Sequence, residues 1–289
     1  MNNDFFHNPV LTNECLNFLI TDRDGFYLDC TLGGGGHVKA ILDNTSEQAK
    51  AVGIDRDPDA LVFAGRRLAN YRDRFKAVRG NFSEIKNLLG TQQFSGILFD
   101  LGISSYQLDT PERGFSYNRN GPLDMRMDPD IDCSAAGLIN KTPLLKLDRL
   151  FKEFGEERLH KKAAKAICKE RAGHSLKTTW DLKRVLEKSG LGHPKSLSRI
   201  FQAVRIAVNQ ELSSLQKALN DSLSLLKKTG NLVVITYHSL EDRIVKQFMK
   251  DRNKADLIIL TKKPLRPGED EITANKRSRS AKMRVAQKI

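Results

Sequence analysis

No apolar run in this 289-residue chain approaches the roughly 20 residues needed to cross a bilayer, so no membrane association is expected. The opening Met1-Asn-Asn-Asp-Phe-Phe lacks the positive charge and apolar stretch of a secretory signal, and a cytoplasmic location is expected. Cysteine is scarce. Cys15, Cys30, Cys133 and Cys168 lie far apart, with no C-x-x-C pair and no histidine at ligand spacing, which reads as free thiols in a reducing compartment and no metal site. There is no internal repeat either. What the chain does have is 39% apolar residues, enough for the core of one large domain or two smaller ones.

Glycine is unevenly used, and its densest cluster is informative. Tyr27-Leu-Asp-Cys-Thr-Leu-Gly-Gly-Gly-Gly-His37 reads as a short apolar strand ending in an acid, then four glycines, then a helix start. Such a turn lets the backbone approach a ligand closely while the following helix offers unpaired N–H groups. A second apolar run, Ala51-Val-Gly-Ile, ends in Asp55, where a doubly wound sheet places the acid that accepts hydrogen bonds from ribose hydroxyls. The dinucleotide fingerprint G-x-G-x-x-G is not met, because Val38 stands where its last glycine would be. Asp29 would repel a pyrophosphate but suits an ammonium or sulfonium, which favours S-adenosylmethionine as cofactor. A merely flexible glycine-rich turn is the bland alternative.

The net charge of +13 is distributed asymmetrically: residues 1–140 carry 14 basic and 19 acidic side chains, residues 141–205 carry 17 and 7, and residues 262–289 carry 9 and 3. A mildly acidic cofactor-binding half joined to strongly basic segments points to a polyanionic substrate such as RNA; solvated lysine-rich helix faces are the alternative.

Strand-like runs recur at 26–32, 51–55, 75–79 and 96–100, the first three with helical segments between them, and the fourth ends in Asp100 at what would be the ligand-binding carboxyl edge of the sheet. Regular alternation then stops. Residues 109–198 contain no convincing strand but have helical patterns at 144–154, 156–172 and 178–188, the last opened by Thr178 and Asp181 at capping-box spacing. These hold most of the charge excess and read as an inserted helical subdomain. A single long helix over 197–228 should lead to a strand at 231–237, then a helix at 240–250 and strands at 256–260 and 283–286. Residues 262–280 read as a mobile basic loop. The domain plan is therefore 1–108, an insertion 109–198, and 199–289, with seven strands in all.

Six blocks carry a resemblance: Asp29-Cys-Thr-Leu-Gly-Gly-Gly-Gly-His, Asp100-Leu-Gly-Ile-Ser-Ser-Tyr-Gln-Leu-Asp, Arg113-Gly-Phe-Ser, Gly121-Pro-Leu-Asp-Met-Arg-Met-Asp, Phe201-Gln-Ala-Val-Arg-Ile and His238-Ser-Leu-Glu-Asp-Arg-Ile-Val-Lys. Together they resemble the bacterial small-subunit ribosomal RNA cytosine-N4 methyltransferases nearly end to end. The resemblance implies an α/β, seven-stranded class I (Rossmann-like) S-adenosylmethionine-dependent methyltransferase fold with an inserted helical substrate-recognition subdomain. It also implies methylation of N4 of one cytosine in the decoding region of 16S ribosomal RNA, with the small ribosomal subunit as partner. Cofactor contacts carried over by position are Gly35, Gly36, His37, Asp55, Phe82, Asp100 and Gln107. Gly34, where relatives often have Arg, and Tyr106, where Pro is common, are small departures.

Cytosine N4 is a poor nucleophile, its lone pair being delocalised into the ring, so a site should accept hydrogen bonds from N4–H and take up the proton. The chain has Asp100-Leu-Gly-Ile and none of the diproline elements many amino-methyltransferases use. Asp100 is either a cofactor ligand or an N4 acceptor. His238, at the end of the fifth strand, is the second catalytic candidate, or a cap for the helix that follows. Arg113, Phe115, Tyr117 and Arg126 interleave aromatic and guanidinium groups as an RNA-binding loop would, although Phe115 or Tyr117 could equally anchor that loop to the core. Lys276, Arg277 and Arg279 are further RNA candidates. An NAD-dependent oxidoreductase, a different class I RNA methyltransferase and a non-catalytic RNA-binding protein remain as alternatives, and monomer or homodimer is open.

Overall fold

The computed structural model describes residues 9–289; the opening segment read above for a signal lies outside them. The chain divides into two compact units, one formed by the residues up to Gly102 together with Leu212–Ile289, the other by Ile103–Glu211.

The first unit is built on a sheet. After helix α1 (Thr12–Leu19) come β1 (Phe26–Asp29), α2 (Gly36–Asp43), β2 (Lys50–Asp55), α3 (Pro58–Arg67), β3 (Phe75–Arg79), α4 (Ile85–Leu89) and β4 (Phe94–Asp100). Strands β1 to β4 pair only in parallel, which requires a crossover between successive strands and buries both faces of the inner ones. Their alternating side chains accordingly feed two separate cores. Leu28, Ile97 and Phe99 join one, with Ile85 and Val245, whereas Tyr27 and Leu98 join the other, with Val38, Ile41 and Leu68. Burial pushes the Tyr27 phenol up to about 12.

The second unit is helical, with α5 (Ser105–Asp109), α6 (Ala135–Lys141), α7 (Leu144–Glu153), α8 (His160–Arg171), α9 (Thr179–Lys188) and α10 (Pro194–Asn209). Its own core gathers Leu147, Phe151, Ile167, Leu186, Ile200, Phe201 and Val204. The irregular stretch ahead of α6 is held by polar groups. Buried Asn209 accepts from the Met127 N–H at 2.8 Å and donates to the carbonyls of Met125 (2.7 Å) and Arg205 (2.9 Å). The expected capping box at the head of α9 is present, with Thr178 accepting from the Asp181 N–H and Asp181 from the Thr178 N–H.

The single helix expected over 197–228 is two. α10 ends at Asn209 and α11 (Glu211–Leu225) follows, because Gln210 takes a left-handed conformation, φ 51°. Arg205 clasps Glu211 across the break through two charge-assisted bonds of 2.9 and 2.8 Å. From there β5 (Leu226–Thr236), starting earlier than expected, lies parallel to β4, and α12 (Ser239–Arg252), β6 (Leu257–Ile259), α13 (Glu269–Ala274) and β7 (Lys282–Lys288) complete the unit. β7 runs antiparallel between β5 and β6. The order β3-β2-β1-β4-β5-β7-β6 is that of the class I methyltransferase sheet, with the helical insert present. Asp242 ties α12 to β7 through Arg284 (2.7 Å) and Lys282 (3.2 Å), and although burial works against its charge, those two cations hold its carboxyl below the usual range. The basic stretch 262–280, read from sequence as a mobile loop, is built rather than loose. It contains α13 and a 3-10 turn at Lys276–Ser280 with Ser278 buried, and Glu271 accepts from the Leu11 N–H at 2.8 Å. Among the described residues no helix is long and apolar enough to cross a membrane.

Because Asn209 satisfies three buried backbone groups at once, Asn209→Ala should destabilise the helical unit by about 2–4 kcal/mol. Denaturant unfolding measures this, and an unchanged midpoint would mean the loop is held by other contacts.

Candidate active site

The carboxyl ends of β1, β2, β4 and β5 carry the polar groups that matter. At β1, Leu32 donates its N–H to the Ile54 carbonyl (2.9 Å), and the Gly35 N–H closes back on the Leu32 carbonyl (2.8 Å). Gly35 has φ +74° and caps α2, and a side chain there would meet Leu68 at 3.0 Å, so glycine is required on both counts. Gly36 and His37 form the first turn of α2. Asp55, at the end of β2, accepts the Gly33 N–H on one oxygen (2.8 Å) and the Asp57 N–H on the other (2.9 Å). Burial raises its pKa above the ordinary value. Each oxygen has a second lone pair, which leaves capacity for a pair of hydroxyls. Phe82 follows β3 in a short 3-10 turn capped by Asn81 and sits edge-on to Phe99 at 5.8 Å.

Asp29 and Asp100 are joined through Thr31. The Asp100 N–H donates to the Thr31 hydroxyl (2.6 Å), and that hydroxyl and the Thr31 N–H approach Asp29 Oδ1 at 3.3 and 3.0 Å. Asp29 is 1% exposed, and its Oδ2 has no partner. Desolvation lifts its pKa to about 6 despite the opposing pull of His37. Burial also raises the Cys30 thiol next to it. Asp100 receives the Tyr237 hydroxyl on Oδ1 (2.9 Å), and His37 Nε2 lies 3.3 Å from its Oδ2. Burial alone would lower the His37 pKa, but Cys15 and Asp100 outweigh it and hold the imidazole well above its ordinary value. Burial, then Asp100, raises the Tyr237 phenol far above its usual range. Tyr237 and Thr31 were not singled out from sequence. The signal available for Tyr237 was its place just beyond the edge of β5, since Asp100 is in register with Ile235.

The other sequence candidates fall as follows. His238 is the N-cap of α12: its Nδ1 accepts the Glu241 N–H (3.4 Å), its Nε2 lies 3.1 Å from Glu241 Oε1, and buried Glu241 accepts the N–H groups of His238 and Tyr237. Gln107 lies in the helical unit, where it forms a capping box with Ser104 at the head of α5. In the same unit Arg113 donates to the carbonyls of Arg126 and Met127, and Arg126 chelates Asp124 while reaching the carbonyls of Pro129 and Ile131. Phe115 is buried, and Tyr117 packs edge-on to Phe201 at 5.7 Å. Lys276, Arg277 and Arg279 are exposed on the first unit.

A buried carboxylate oxygen with no partner, a ribose-type acid with spare lone pairs and a turn closed by the left-handed Gly35 fit a small ligand carrying both a cationic centre and a diol. The donor set matches S-adenosylmethionine, whose site Asp29, Gly35, Asp55 and Asp100 would form. A model of the MraW methylase family matches residues 4–289. The chain belongs to the MraW methylase family. It is accordingly an S-adenosylmethionine-dependent methyltransferase. Similar proteins include Ribosomal RNA small subunit methyltransferase H of Carboxydothermus hydrogenoformans, 43% identical over 99% of this chain and 99% of that one. The protein of the same name from Heliobacterium mobile is 44% identical over 99% of this chain and all of that one. Among solved structures, a rRNA methylase from Streptococcus thermophilus is similar at TM-score 0.46 and 11% identity, covering 96% of this chain and 93% of that one.

The Asp29 carboxyl gives this MraW-family site a pH signature. The folded group keeps its proton up to about pH 6, whereas an unfolded aspartate releases it near 3.8. The native state thus binds more protons in that window, and stability should decline as pH rises through it, by about 2–3 kcal/mol in total. Asp29→Asn should remove that decline, be the more stable protein above pH 6 and bind S-adenosylmethionine more weakly. Melting curves across pH test this; parallel curves for both proteins would show that the folded carboxyl is not raised.

Proposed function

We propose that this enzyme transfers a methyl group from S-adenosylmethionine to N4 of a cytosine in the decoding region of 16S ribosomal RNA, acting on the small subunit in the cytoplasm. The observation that carries the substrate is the end-to-end similarity to proteins named Ribosomal RNA small subunit methyltransferase H. The excess of 10 positive charges over residues 141–205 agrees with a polyanionic partner. When bound, the cofactor supplies an electrophilic methyl on a sulfonium. The residues do the rest. Asp55 holds the ribose diol, Phe82 packs on the adenine, and Asp29 faces the positive charge of the methionine end. Gly35, Gly36 and His37 line the turn. Asp100, oriented by Tyr237 and His37, contacts the methionine end.

Asp100 accepts the Tyr237 hydroxyl on one oxygen and has His37 Nε2 3.3 Å from the other, so its remaining lone pairs point in fixed directions. That arrangement suits it to accepting and orienting an N–H. The proton of N4 then leaves after the N–C bond has formed, when the amine has become acidic. His238 serves as the helix cap through Nδ1, while its buried Nε2, though 3.1 Å from Glu241 Oε1, makes no hydrogen bond among the described residues.

Small subunits lacking the modification, incubated with the enzyme and methyl-labelled cofactor, should yield N4-methylated cytidine in 16S ribosomal RNA by nucleoside mass spectrometry. Label on another nucleoside, or none, would refute the assignment. Asp55→Ala should weaken cofactor binding by about 1–3 kcal/mol while leaving the fold intact. Asp100→Asn should lose cofactor affinity and turnover together, because ground and transition states share that contact. Wild-type cofactor affinity in a slow Asp100→Asn enzyme would instead assign Asp100 to the amine.

A further inference from the structure

The chain has one tryptophan, and the fold leaves it in water. Trp180 is 49% exposed at the second position of α9, although its neighbours Thr179 and Leu182 are fully buried. Its indole presents a flat apolar face with a polar N–H to solvent. Its surroundings are rigid. Residues 119–123 are zippered onto the start of α9: the Leu123 N–H donates to the Lys177 carbonyl (2.9 Å), the Thr179 N–H to the Gly121 carbonyl (2.9 Å), and the Thr179 hydroxyl to the Arg119 carbonyl (2.7 Å). Gly121 has no alternative there, since a Cβ would stand 1.8 Å from the Pro111 carbonyl oxygen.

That zipper brings Arg119 to the helix start, while Lys183 and Arg184 follow Trp180 on the same helix face by their spacing of three and four. Lys177 precedes it and is exposed. Three of these cations have acidic partners, Arg119 with Asp109 (3.3 Å), Arg184 with Asp181 (2.6 Å) and Lys183 with Glu187 (3.9 Å). Such solvent-exposed pairs hold little energy and yield readily to phosphate oxygens. The loop residues Arg113 and Arg126, by contrast, spend their guanidinium groups on backbone carbonyls of their own segment.

We propose that the head of α9 is an RNA-docking surface on which Trp180 stacks against an unpaired base, with Arg119, Lys177, Lys183 and Arg184 meeting the adjoining phosphates. A flat aromatic face ringed by cations is the chemistry of single-stranded RNA binding, and the basic excess of residues 141–205 gives charge complementarity. The inference rests on the RNA-methyltransferase reading and names where that substrate is gripped.

The sole tryptophan makes the test direct. Titrating the full chain with a labelled single-stranded oligoribonucleotide of about ten nucleotides should quench tryptophan emission in step with the anisotropy of the label. Trp180→Ala should weaken binding about ten- to a hundredfold, Trp180→Phe by much less, and Lys183→Gln with Arg184→Gln should lower its salt dependence. S-adenosylmethionine affinity and melting temperature should stay at wild-type values in all of them, which separates docking from folding. Emission unmoved at saturating RNA, or wild-type RNA affinity in Trp180→Ala, would overturn the proposal. A wild-type dimer that Trp180→Ala converts to a monomer, with RNA affinity unchanged, would overturn it in favour of a second copy of the chain. Methyl transfer to small subunits, measured in parallel, reports the catalytic reading separately: wild-type transfer with no effect of Trp180→Ala on binding refutes the docking surface alone.

Discussion

The Thr31 hydroxyl holds the site together. It takes the Asp100 N–H and turns toward Asp29, so the acids ending β1 and β4 are fixed relative to each other by one short side chain. Neighbouring parallel strands bring their carboxyl ends level, but strand pairing alone sets only the backbone. The threonine ties the Asp100 backbone to the Asp29 carboxyl. Tyr237 and His37 then settle the orientation of Asp100 from β5 and α2. Tyr237 and His37 thus meet the Asp100 carboxylate while Thr31 holds its backbone, and loss of the hydroxyl would leave the Asp100 N–H unpaired.

The helical unit uses its polar groups differently. Arg113, Arg126 and Asn209 are spent on backbone carbonyls and amides of a long irregular stretch. A segment without regular secondary structure must satisfy each buried N–H and C=O some other way, and guanidinium and amide side chains reach several at once. Cations that carry no such duty remain at the surface, on α9 at Lys183 and Arg184 and at its approach at Lys177. This explains why a basic, aromatic-rich loop turned out to be largely self-contained, while α9 carries an exposed indole and cations paired only in solvent.

Much of the sheet was legible in the sequence because parallel strands buried on both faces leave short, dense apolar runs, and because the turn at Gly35 and the acid at Asp55 sit at fixed distances along the chain. The cap at Thr178 was legible for the same reason, being a local pattern. The break at Gln210 was not. Apolar periodicity continues across it, and a left-handed residue other than glycine leaves no compositional mark; only the Arg205–Glu211 clasp, a tertiary contact, distinguishes two helices from one. Stretch 262–280 misled for the opposite reason, since its prolines and charges read as loose chain while its order comes from contacts such as Glu271 with Leu11. The sequence leaves the histidine after β5 open between candidate base and helix cap, and in the structure its Nδ1 caps α12.

The unpartnered oxygen of Asp29 is the clearest conflict between stability and function in the molecule. Desolvating this carboxyl opposes folding at neutral pH by more than His37 offsets, and a protein selected for stability alone would place an apolar residue or asparagine there. The cost is tolerable because Leu28, Ile97 and Phe99 on one face and Tyr27 and Leu98 on the other bury the ends of the same strands completely, and each such side chain contributes about 1.5–3 kcal/mol. What the carboxyl gains is selectivity. A ligand bearing positive charge next to Asp29 relieves the desolvation that the free protein carries, whereas an anionic ligand of similar shape would add repulsion to it. On the proposed reading, a glycine turn followed by the acid Asp55 would serve a dinucleotide equally well, and the buried carboxyl of Asp29 at the end of β1 is what would turn the site toward a sulfonium and away from a pyrophosphate.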